Sequence, residues 1–258
     1  MLNISNLTKI FGTGTINEKA ALNDLSINVN AGDFITVIGN NGAGKSTLLN
    51  CIAGVHIPDR GQIILDGNDI TKEKEFKRSR YIGRVFQDPL KGTAHGMTIE
   101  ENMAIAYNKA RSKNLMPGIT DKDRTIFHDY LKRLGLGLED RMKEKVKFLS
   151  GGQRQALTLL MANMADPKVL LLDEHTAALD PSIAKTVLKL TDEFSDSKNL
   201  CTIMITHNMQ AALDHGNRTI VMKNGKIALD LKGEERKKMT VELLVEQFEI
   251  DNDRMLIT

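Results

Sequence analysis

The sequence predicts an α/β fold whose centre is a mostly parallel sheet covered by helices. Apolar runs typical of strands alternate with helical patterns through the middle of the chain, which is the element order of parallel sheets. Several of these runs are rich in Val, Ile and Leu from end to end, as in strands buried on both faces. Alternating apolar and polar residues towards both ends of the chain indicate antiparallel strands as well.

The bulk composition excludes several classes of protein. The 258 residues correspond to one or two domains, 41% of them are hydrophobic and 26% are charged. A net charge of +2 indicates no basic surface for nucleic acid. We expect no transmembrane helix and no signal peptide, because no run of about 18 apolar residues occurs and the N-terminus lacks a basic and an apolar region. Cys51 and Cys201 lie in apolar runs and are predicted to be buried thiols, and the six histidines show no metal-ligand spacing.

The first strands of the chain precede a glycine-rich loop. Residues 2–11 alternate in part and predict one strand, and residues 20–30 predict a second. In the second strand Leu25, Ile27 and Val29 are two positions apart, so they are expected to share the buried face. These two strands predict an antiparallel sheet at the start of the chain.

The glycine-rich loop covers residues 39–47 and is called the phosphate loop below. It fits the phosphate-binding pattern G-x-x-x-x-G-K-[ST] at every fixed position. An apolar strand over 34–38 precedes it, and a helix over 46–53 follows it, ending at Gly54. The glycines allow the backbone to curl, so that the loop amides and the helix N-terminus point at one anion. Lys45 would add a positive charge at the outer phosphates, and Ser46 a hydroxyl ligand for Mg²⁺.

The remaining elements follow from local patterns. Thr98 with Glu101, and Ser150 with Gln153, match the capping box that opens a helix. Asn224-Gly225 between two apolar runs indicates a hairpin. Strands are predicted over 62–67, 81–86, 169–174, 200–205, 218–223 and 226–231. Helices are predicted over 71–80, 98–110, 121–134, 181–194 and 240–248. A further helix is predicted to open at Ser150 and to be stopped by Asp166-Pro167.

Polar residues follow the parallel strands at the points where the strands end. Besides the phosphate loop, these residues are Gln87, the pair Asp173 and Glu174, and His207. In an open parallel sheet, ligands lie beyond the carboxyl ends of the strands, so we expect these side chains to meet there. Asp173 is placed to hold Mg²⁺, and Glu174 can polarise an attacking water. The strand ending at Leu65 has no role that its residues indicate.

The motifs in their order resemble the ATP-binding subunit of an ABC transporter. They are the phosphate loop, Val85-Phe86-Gln87-Asp88, Leu149-Ser150-Gly151-Gly152-Gln153, the run from Val169 to Glu174, Ala178-Leu179-Asp180 and Ile205-Thr206-His207. The likeness covers nearly the whole chain, and the Leu-Ser-Gly-Gly-Gln signature is highly specific. It implies one ABC ATPase domain over 1–258 with the P-loop NTPase fold. The nucleotide-binding core with its antiparallel β subdomain would span 1–86 and 166–258, and a helical signature subdomain 87–165.

The resemblance also implies ATP and Mg²⁺ as cofactors and gives each motif residue a role. Glu174 would be the general base, His207 would contact the γ-phosphate, and Gln87 would act with them. Phe11 lies where the family stacks an aromatic residue, often Tyr, on adenine. The loop residues implied to bind ATP are Gly39, Asn40, Asn41, Gly42, Ala43, Gly44, Lys45, Ser46 and Thr47. The residues implied to order Mg²⁺ and its waters are Ser46, Gln87 and Asp173.

The resemblance further implies that two copies sandwich two ATP molecules head to tail. The residues of the signature motif would bind the γ-phosphate of ATP held by the second copy, and Asp180 would lie at the dimer interface. The signature residues concerned are Ser150, Gly151, Gly152 and Gln153. Hydrolysis would then drive an integral membrane permease, whose cytoplasmic coupling helix would meet residues 87–103.

One departure and one further segment point to a branch of the family. His175 follows Glu174 where the family usually has Pro. Residues 173–181 together with residues 88–94 resemble one branch, the bacterial import ATPases. These act with a substrate-binding lipoprotein and a permease similar to the branched-chain amino acid type, and some are assigned to tryptophan or tyrosine uptake. The implied location is the cytoplasmic face of the cell membrane, with no nucleic acid partner.

Two other functions stay open from the sequence. A soluble ABC ATPase acting in cofactor assembly would carry the same motifs. A phosphate-loop kinase would share the loop but leave the signature and His207 unexplained.

Overall fold

The structure is a computed structural model that describes residues 2–108, 118–177, 179–198 and 200–246, with backbone only at 197 and 198. Within these ranges the strands form two sheets. The strands are β1 (Leu2–Phe11), β2 (Lys19–Val29), β3 (Phe34–Gly39), β4 (Arg60–Leu65), β5 (Asn68–Asp69), β6 (Ile82–Val85), β7 (Val169–Asp173), β8 (Cys201–Ile205), β9 (Arg218–Lys223) and β10 (Lys226–Lys232).

The helices lie between and around these strands. They are α1 (Lys45–Ala53), α2 (Glu75–Arg78), α3 (Ile99–Tyr107), α4 (Asp121–Lys132), α5 (Gly151–Met164), α6 (Pro181–Lys198), α7 (Met209–Asp214), α8 (Gly233–Lys237) and α9 (241–246). Short 3-10 turns cover Glu139–Arg141 and Val146–Phe148. In the part of the chain that the structure describes, no helix combines the length and the apolar character needed to cross a bilayer.

The central sheet has the strand order β10-β9-β3-β8-β7-β6. All neighbouring pairs from β9 to β6 are parallel, and only β10 is antiparallel, to β9. This confirms the predicted parallel core and the hairpin, whose turn residues Asn224 and Gly225 have φ of 49° and 75°. Because the strands from β3 to β6 run the same way, the residues that follow them meet at one edge.

The second sheet is antiparallel and has the order β2-β1-β4-β5. Leu25, Ile27 and Val29 are buried on one face of β2, as predicted. At the far end of the β1–β2 pair, Phe11 lies directly opposite Lys19 in the strand register. This pairing places the first predicted ligand residue beside a lysine.

Apolar residues cover the central sheet on both faces. Leu171 and Ile203 belong to a core that joins this sheet to α1 and the antiparallel sheet. Leu170, Leu172 and Met204 belong to a second core, shared with α3 to α6. Successive residues of one strand therefore face different cores, which explains why β7 and β8 are apolar from end to end. Cys51 and Cys201 are buried, as expected, and burial raises the pKa of each thiol to about 11.

The predicted elements are mostly found, with differences at their ends. The predicted helix over 71–80 is wrong in extent, because only the single turn of α2 is helical. Its last residue, Arg78, is fully buried and donates hydrogen bonds to four backbone carbonyls, so packing and not periodicity shapes this segment. The helix predicted to end at 194 continues to Lys198, and the added residues are polar, so the apolar pattern does not mark them.

Two short helices, α7 and α8, were not predicted, since each is too short to show a helical period. The last two residues of the predicted helix over 240–248 lie outside the described residues, as do 109 and 110 of the helix predicted over 98–110. The division of the chain into a core and a helical subdomain stays a prediction.

Candidate functional site

The phosphate loop connects β3 to α1 in a conformation that requires glycine at two positions. Gly39 has φ of 151°, and a Cβ built on it would lie 2.3 Å from the Met222 carbonyl oxygen. Gly44 has φ of 100°, and its Cβ would lie 2.3 Å from the Ala21 carbonyl oxygen. Helix α1 begins after Gly44 without a side-chain cap, whereas α3, α4 and α5 have capping boxes. Its first N–H groups are therefore available to an anion.

Lys45 is fixed inside this loop. Only 6% of the residue is exposed, and its Nζ donates to the carbonyl oxygens of Gly39 at 2.7 Å and Asn40 at 3.1 Å. Burial lowers the pKa of Lys45, and the nearby carboxylates of Glu174 and Asp173 act in the opposite direction. The ammonium is thus held at the loop, close to the acidic residues that follow β7.

A pocket of about 260 Å³ joins the loop to the predicted adenine platform. The Phe11 ring is 39% exposed and packs edge-on against His56, with the ring centroids 5.2 Å apart. The pocket is lined by Phe11, Lys19, Ala21, the loop residues from Asn41 to Thr47 and Glu174. The Phe11 ring and the phosphate loop therefore share one pocket. The stacking of a base on Phe11 stays a prediction. Lys19 was not predicted, since nothing in its local sequence distinguishes it from other surface lysines.

Three predicted catalytic residues meet where β6, β7 and β8 end. The Gln87 Nε2 donates to Glu174 Oε2 at 3.0 Å, and the His207 Nε2 lies 2.6 Å from Glu174 Oε1. Glu174 has φ of 47°, a left-handed backbone held by the hydrogen bond from its N–H to the Ile205 carbonyl at 3.1 Å. Its side chain is 10% exposed and that of His207 is 47% exposed. The carboxylate is thus oriented by both neighbouring strand ends.

Asp173 lies beside the loop serine and an arginine. The Ser46 Oγ donates to Asp173 Oδ1 at 3.4 Å, and the Arg84 Nη2 lies 3.8 Å from Asp173 Oδ2. The same Arg84 nitrogen donates to Asn50 Oδ1 on α1 at 2.7 Å. Burial raises the pKa of Asp173, and the charge of Arg84 offsets part of that change. Arg84 was not predicted; the one available signal was a charged residue within an otherwise apolar strand.

The residues around Asp173 fit Mg²⁺. The Ser46 hydroxyl and the Asp173 carboxylate offer two oxygen donors at one place, which is the donor type that this ion prefers. Among the described residues, no group of three or more His, Cys, Asp and Glu side chains could hold a metal ion. An ion here would therefore complete its shell with phosphate oxygens and water, as Mg²⁺ commonly does. The third predicted ligand, Gln87, donates to Glu174 instead, so its contact with the metal stays a prediction.

His175 occupies the position where the resembled family usually has proline. It is 2% exposed, and its Nε2 lies 3.4 Å from the Thr191 Oγ1 of α6. Burial lowers the pKa of His175 to about 3, so the ring is neutral near pH 7. The segment after Glu174 is therefore anchored on α6 by a packed side chain.

The signature motif opens α5 with the predicted capping box. The Ser150 Oγ accepts from the Gln153 N–H at 3.2 Å, and the Gln153 Oε1 accepts from the Ser150 N–H at 3.1 Å. A Cβ on Gly152 would lie 2.8 Å from Ile183 Cδ1, so α5 packs closely against α6 there. These residues do not line the phosphate-loop pocket of the same chain. Their roles towards a second copy, and that of the exposed Asp180, stay predictions.

The chain is similar to known proteins over most of its length. Residues 22–177 match the family model described as ABC transporter. The chain is 45% identical to the tyrosine transport ATP-binding protein of Clostridioides difficile, over 96% of this chain and 99% of that protein. It is 31% identical to the phosphonates import ATP-binding protein of Treponema denticola, over 89% of each chain. A dimeric ATP-binding cassette in a post-hydrolysis state, bound to ADP and Pi, superposes with a TM-score of 0.78 at 27% identity, covering 90% of this chain and 98% of that one.

Proposed function

The chain belongs to the ABC transporter family, and on that premise we propose that it hydrolyses ATP to drive the uptake of an amino acid through a separate membrane permease. The match to the ABC transporter model and the similarity to a transport ATP-binding protein support ATP binding and ATP-driven transport. The observation that carries the proposal for this chain is the approach of Gln87 and His207 to Glu174, beside a phosphate loop that holds Lys45.

The proposed reaction is the attack of water on the terminal phosphate of ATP, which breaks the bond from that phosphorus to the bridging oxygen and releases ADP and inorganic phosphate. Glu174 accepts the proton of the attacking water, because its carboxylate is fixed at the strand edge and lies next to the loop. His207 donates a hydrogen bond from Nε2 and can contact the terminal phosphate from the same position. Lys45 and the amides of the loop hold the phosphates in line. Mg²⁺ bound at Ser46 and Asp173 would neutralise charge on the phosphate oxygens.

Two copies of the chain would complete each other's sites. The capping box leaves the Gly151 and Gly152 N–H groups at the N-terminus of α5, where the helix dipole favours an anion. Because these residues are not in the phosphate-loop pocket of their own chain, we assign them to the ATP held by a second copy. The dimeric state of the related cassette bound to ADP and Pi supports this arrangement.

A groove next to the catalytic edge offers a place for the permease. Its volume is about 350 Å³ and it lies between β6, α3 and α5, with Arg84, Phe86, Asn102 and Ile105 among its lining residues. Ile105 is 57% exposed there. Phe86 in its lining directly precedes Gln87, so a permease segment in the groove would lie near the residue that contacts Glu174.

The relatives support a direction of transport and a class of transported solute. The tyrosine transport relative supports uptake of an amino acid, with an aromatic one as the first choice, and the phosphonates import relative supports import in general. Uptake would require a substrate-binding lipoprotein outside the cell, and it would place this chain at the cytoplasmic face of the membrane. The cargo would be chosen by the permease and the lipoprotein and not by this chain.

The proposal is tested by isolating the complex from its native membrane. We would express tagged Glu174→Gln protein, add ATP and Mg²⁺, solubilise gently and identify the copurifying proteins. A second sample carries Ile105→Glu, which places a charge in the groove, and the matched control is Leu243→Glu, which charges an exposed leucine outside it.

Recovery of a permease and a lipoprotein, lost with Ile105→Glu and kept with Leu243→Glu, is the expected result. The recovered lipoprotein would then be screened against the amino acids. A permease without a lipoprotein would contradict uptake. Cytosolic partners alone would contradict transport and favour the alternative of a soluble ATPase in cofactor assembly.

A further inference from the structure

Lys19 and Phe11 form one wall of the nucleotide pocket. They lie directly opposite each other in the register of β1 and β2, and both line the pocket. Side chains at directly opposed positions of an antiparallel pair stand on the same face, about 5 Å apart at Cβ. A nucleotide whose base stacks on Phe11 therefore passes beside Lys19.

The ammonium of Lys19 lies against the phosphate loop. A Cβ built on Gly42 would be 3.3 Å from the Lys19 Nζ. Within the described ranges no carboxylate pairs with Lys19, and the neighbouring Glu18 instead accepts from the Gly14 N–H at 2.8 Å. The loop thus has a second cation beside it, and no carboxylate among the described residues pairs with that cation.

The two lysines mark different ends of the pocket. Lys45 lies towards the acidic end, within the field of Glu174 and Asp173, where the terminal phosphate would react. Lys19 lies towards the aromatic end, opposite Phe11. A nucleotide that stacks its base on Phe11 and reaches Glu174 with its last phosphate has its first phosphate beside Lys19.

We propose that Lys19 binds the α-phosphate of the nucleotide. This phosphate is then held by a lysine of the antiparallel sheet as well as by the phosphate loop. The inference rests on the proposed function, since it assumes that a nucleotide occupies the pocket. It assigns to Lys19 a binding role and no part in the attack of water. This contact strengthens the binding of AMP, ADP and ATP. It does not strengthen the binding of adenosine, which has no phosphate.

The test measures nucleotide affinity without hydrolysis. Calorimetric titrations of the wild-type chain, Lys19→Gln and Lys19→Arg use ADP and AMP as ligands, with competition by adenosine. The matched control is Lys143→Gln, which removes an exposed lysine outside the pocket. Because Lys19 is exposed, we expect Lys19→Gln to weaken the binding of ADP and AMP about 3- to 10-fold, with a smaller effect at high salt.

Adenosine should bind Lys19→Gln and the wild type equally, and Lys19→Arg should keep most of the ADP affinity. In steady state Lys19→Gln should raise KM for ATP and leave kcat unchanged. The inference is overturned if Lys19→Gln binds ADP as tightly as the wild type does. It is also overturned if the affinity of Lys19→Gln for adenosine falls by the same factor as its affinity for ADP. A wild-type chain that binds neither ADP nor ATP would overturn the proposed function itself, so the two failures are distinct.

Discussion

The His207 Nε2 lies 2.6 Å from Glu174 Oε1, while the other oxygen of that carboxylate accepts from Gln87 at 3.0 Å. The three residues follow β8, β7 and β6, which are neighbours in the central sheet. A carboxylate has about four acceptor positions, so both contacts leave room for a water molecule. Each strand end therefore supplies one part of an arrangement in which the Glu174 carboxylate is held in place by two partners.

Glu174→Gln should abolish turnover. The amide keeps the size of the side chain but cannot accept a proton, and general bases typically contribute about 10²- to 10⁴-fold to a rate. We expect phosphate release to fall at least about 100-fold while ATP binding is retained. Glu193→Gln, at a half-exposed glutamate of α6, is the control that should keep its activity. Turnover close to wild type would remove Glu174 from the role of base.

His207→Ala should lower kcat about 10- to 100-fold and change KM for ATP only a few-fold. The variant loses the hydrogen-bond partner of Glu174 and a donor near the terminal phosphate, both of which matter most in the transition state. Steady-state kinetics measures both parameters, with His128→Ala on α4 as the control. A rise in KM alone, at unchanged kcat, would contradict a role in the chemical step.

Arg78→Lys should lower the free energy of unfolding by about 2–4 kcal/mol. The guanidinium is fully buried and donates to four carbonyls, of which those of Cys51 and Ile52 end the helix that follows the phosphate loop. A lysine cannot reproduce this fork, and buried acceptors are left without donors. Urea unfolding of the variant is compared with Arg80→Lys, an exposed neighbour that should change by less than about 0.5 kcal/mol. Equal values for both would contradict this assignment.

The residues that could be predicted from the sequence differ from those that could not by the range of their contacts. The phosphate loop, the capping box of Ser150 with Gln153 and the Asn224-Gly225 turn are each determined by neighbours in sequence, and they are found where expected. The parallel direction of the core strands followed from their apolar composition. Their order in the sheet did not, because strand order depends on which distant segments pair.

The missed residues act through contacts that form only in the folded chain. Arg84 contacts Asn50 and Asp173, which are 34 and 89 residues away along the chain, and no local pattern marks such a contact. Arg78 was missed because its polar neighbours predict an ordinary helix, whereas its guanidinium donates hydrogen bonds to carbonyls of α1. Lys19 was missed because only the folded β1–β2 pair places it opposite Phe11.

The pair of His215 and Asp192 should make stability depend on pH. The His215 Nδ1 lies 2.8 Å from Asp192 Oδ2, and this hydrogen bond raises the pKa of His215 in the folded chain. The stabilisation is therefore complete below the unfolded pKa of about 6.5 and is lost as the pH rises through the higher folded value. Because the pair is partly exposed, we expect His215→Gln to cost only about 0.5–1 kcal/mol at pH 6.

Urea unfolding at pH 6, 7.5 and 9 measures this effect. The difference in the free energy of unfolding between the wild type and His215→Gln should become smaller as the pH rises. A difference that stays constant, or that widens with pH, would mean that the charged pair does not stabilise the fold.

The central claim is that two copies of this chain share two ATP molecules, and sedimentation of the Glu174→Gln protein tests it most directly. Without nucleotide the protein should sediment as a single chain of 28.6 kDa, and with ATP and Mg²⁺ at twice that mass. Ser150→Phe places a bulky side chain at the N-terminus of α5. When it is added to Glu174→Gln, the protein should still bind ATP but should sediment as a single chain. A Glu174→Gln protein that stays a single chain with saturating ATP bound would contradict the shared site.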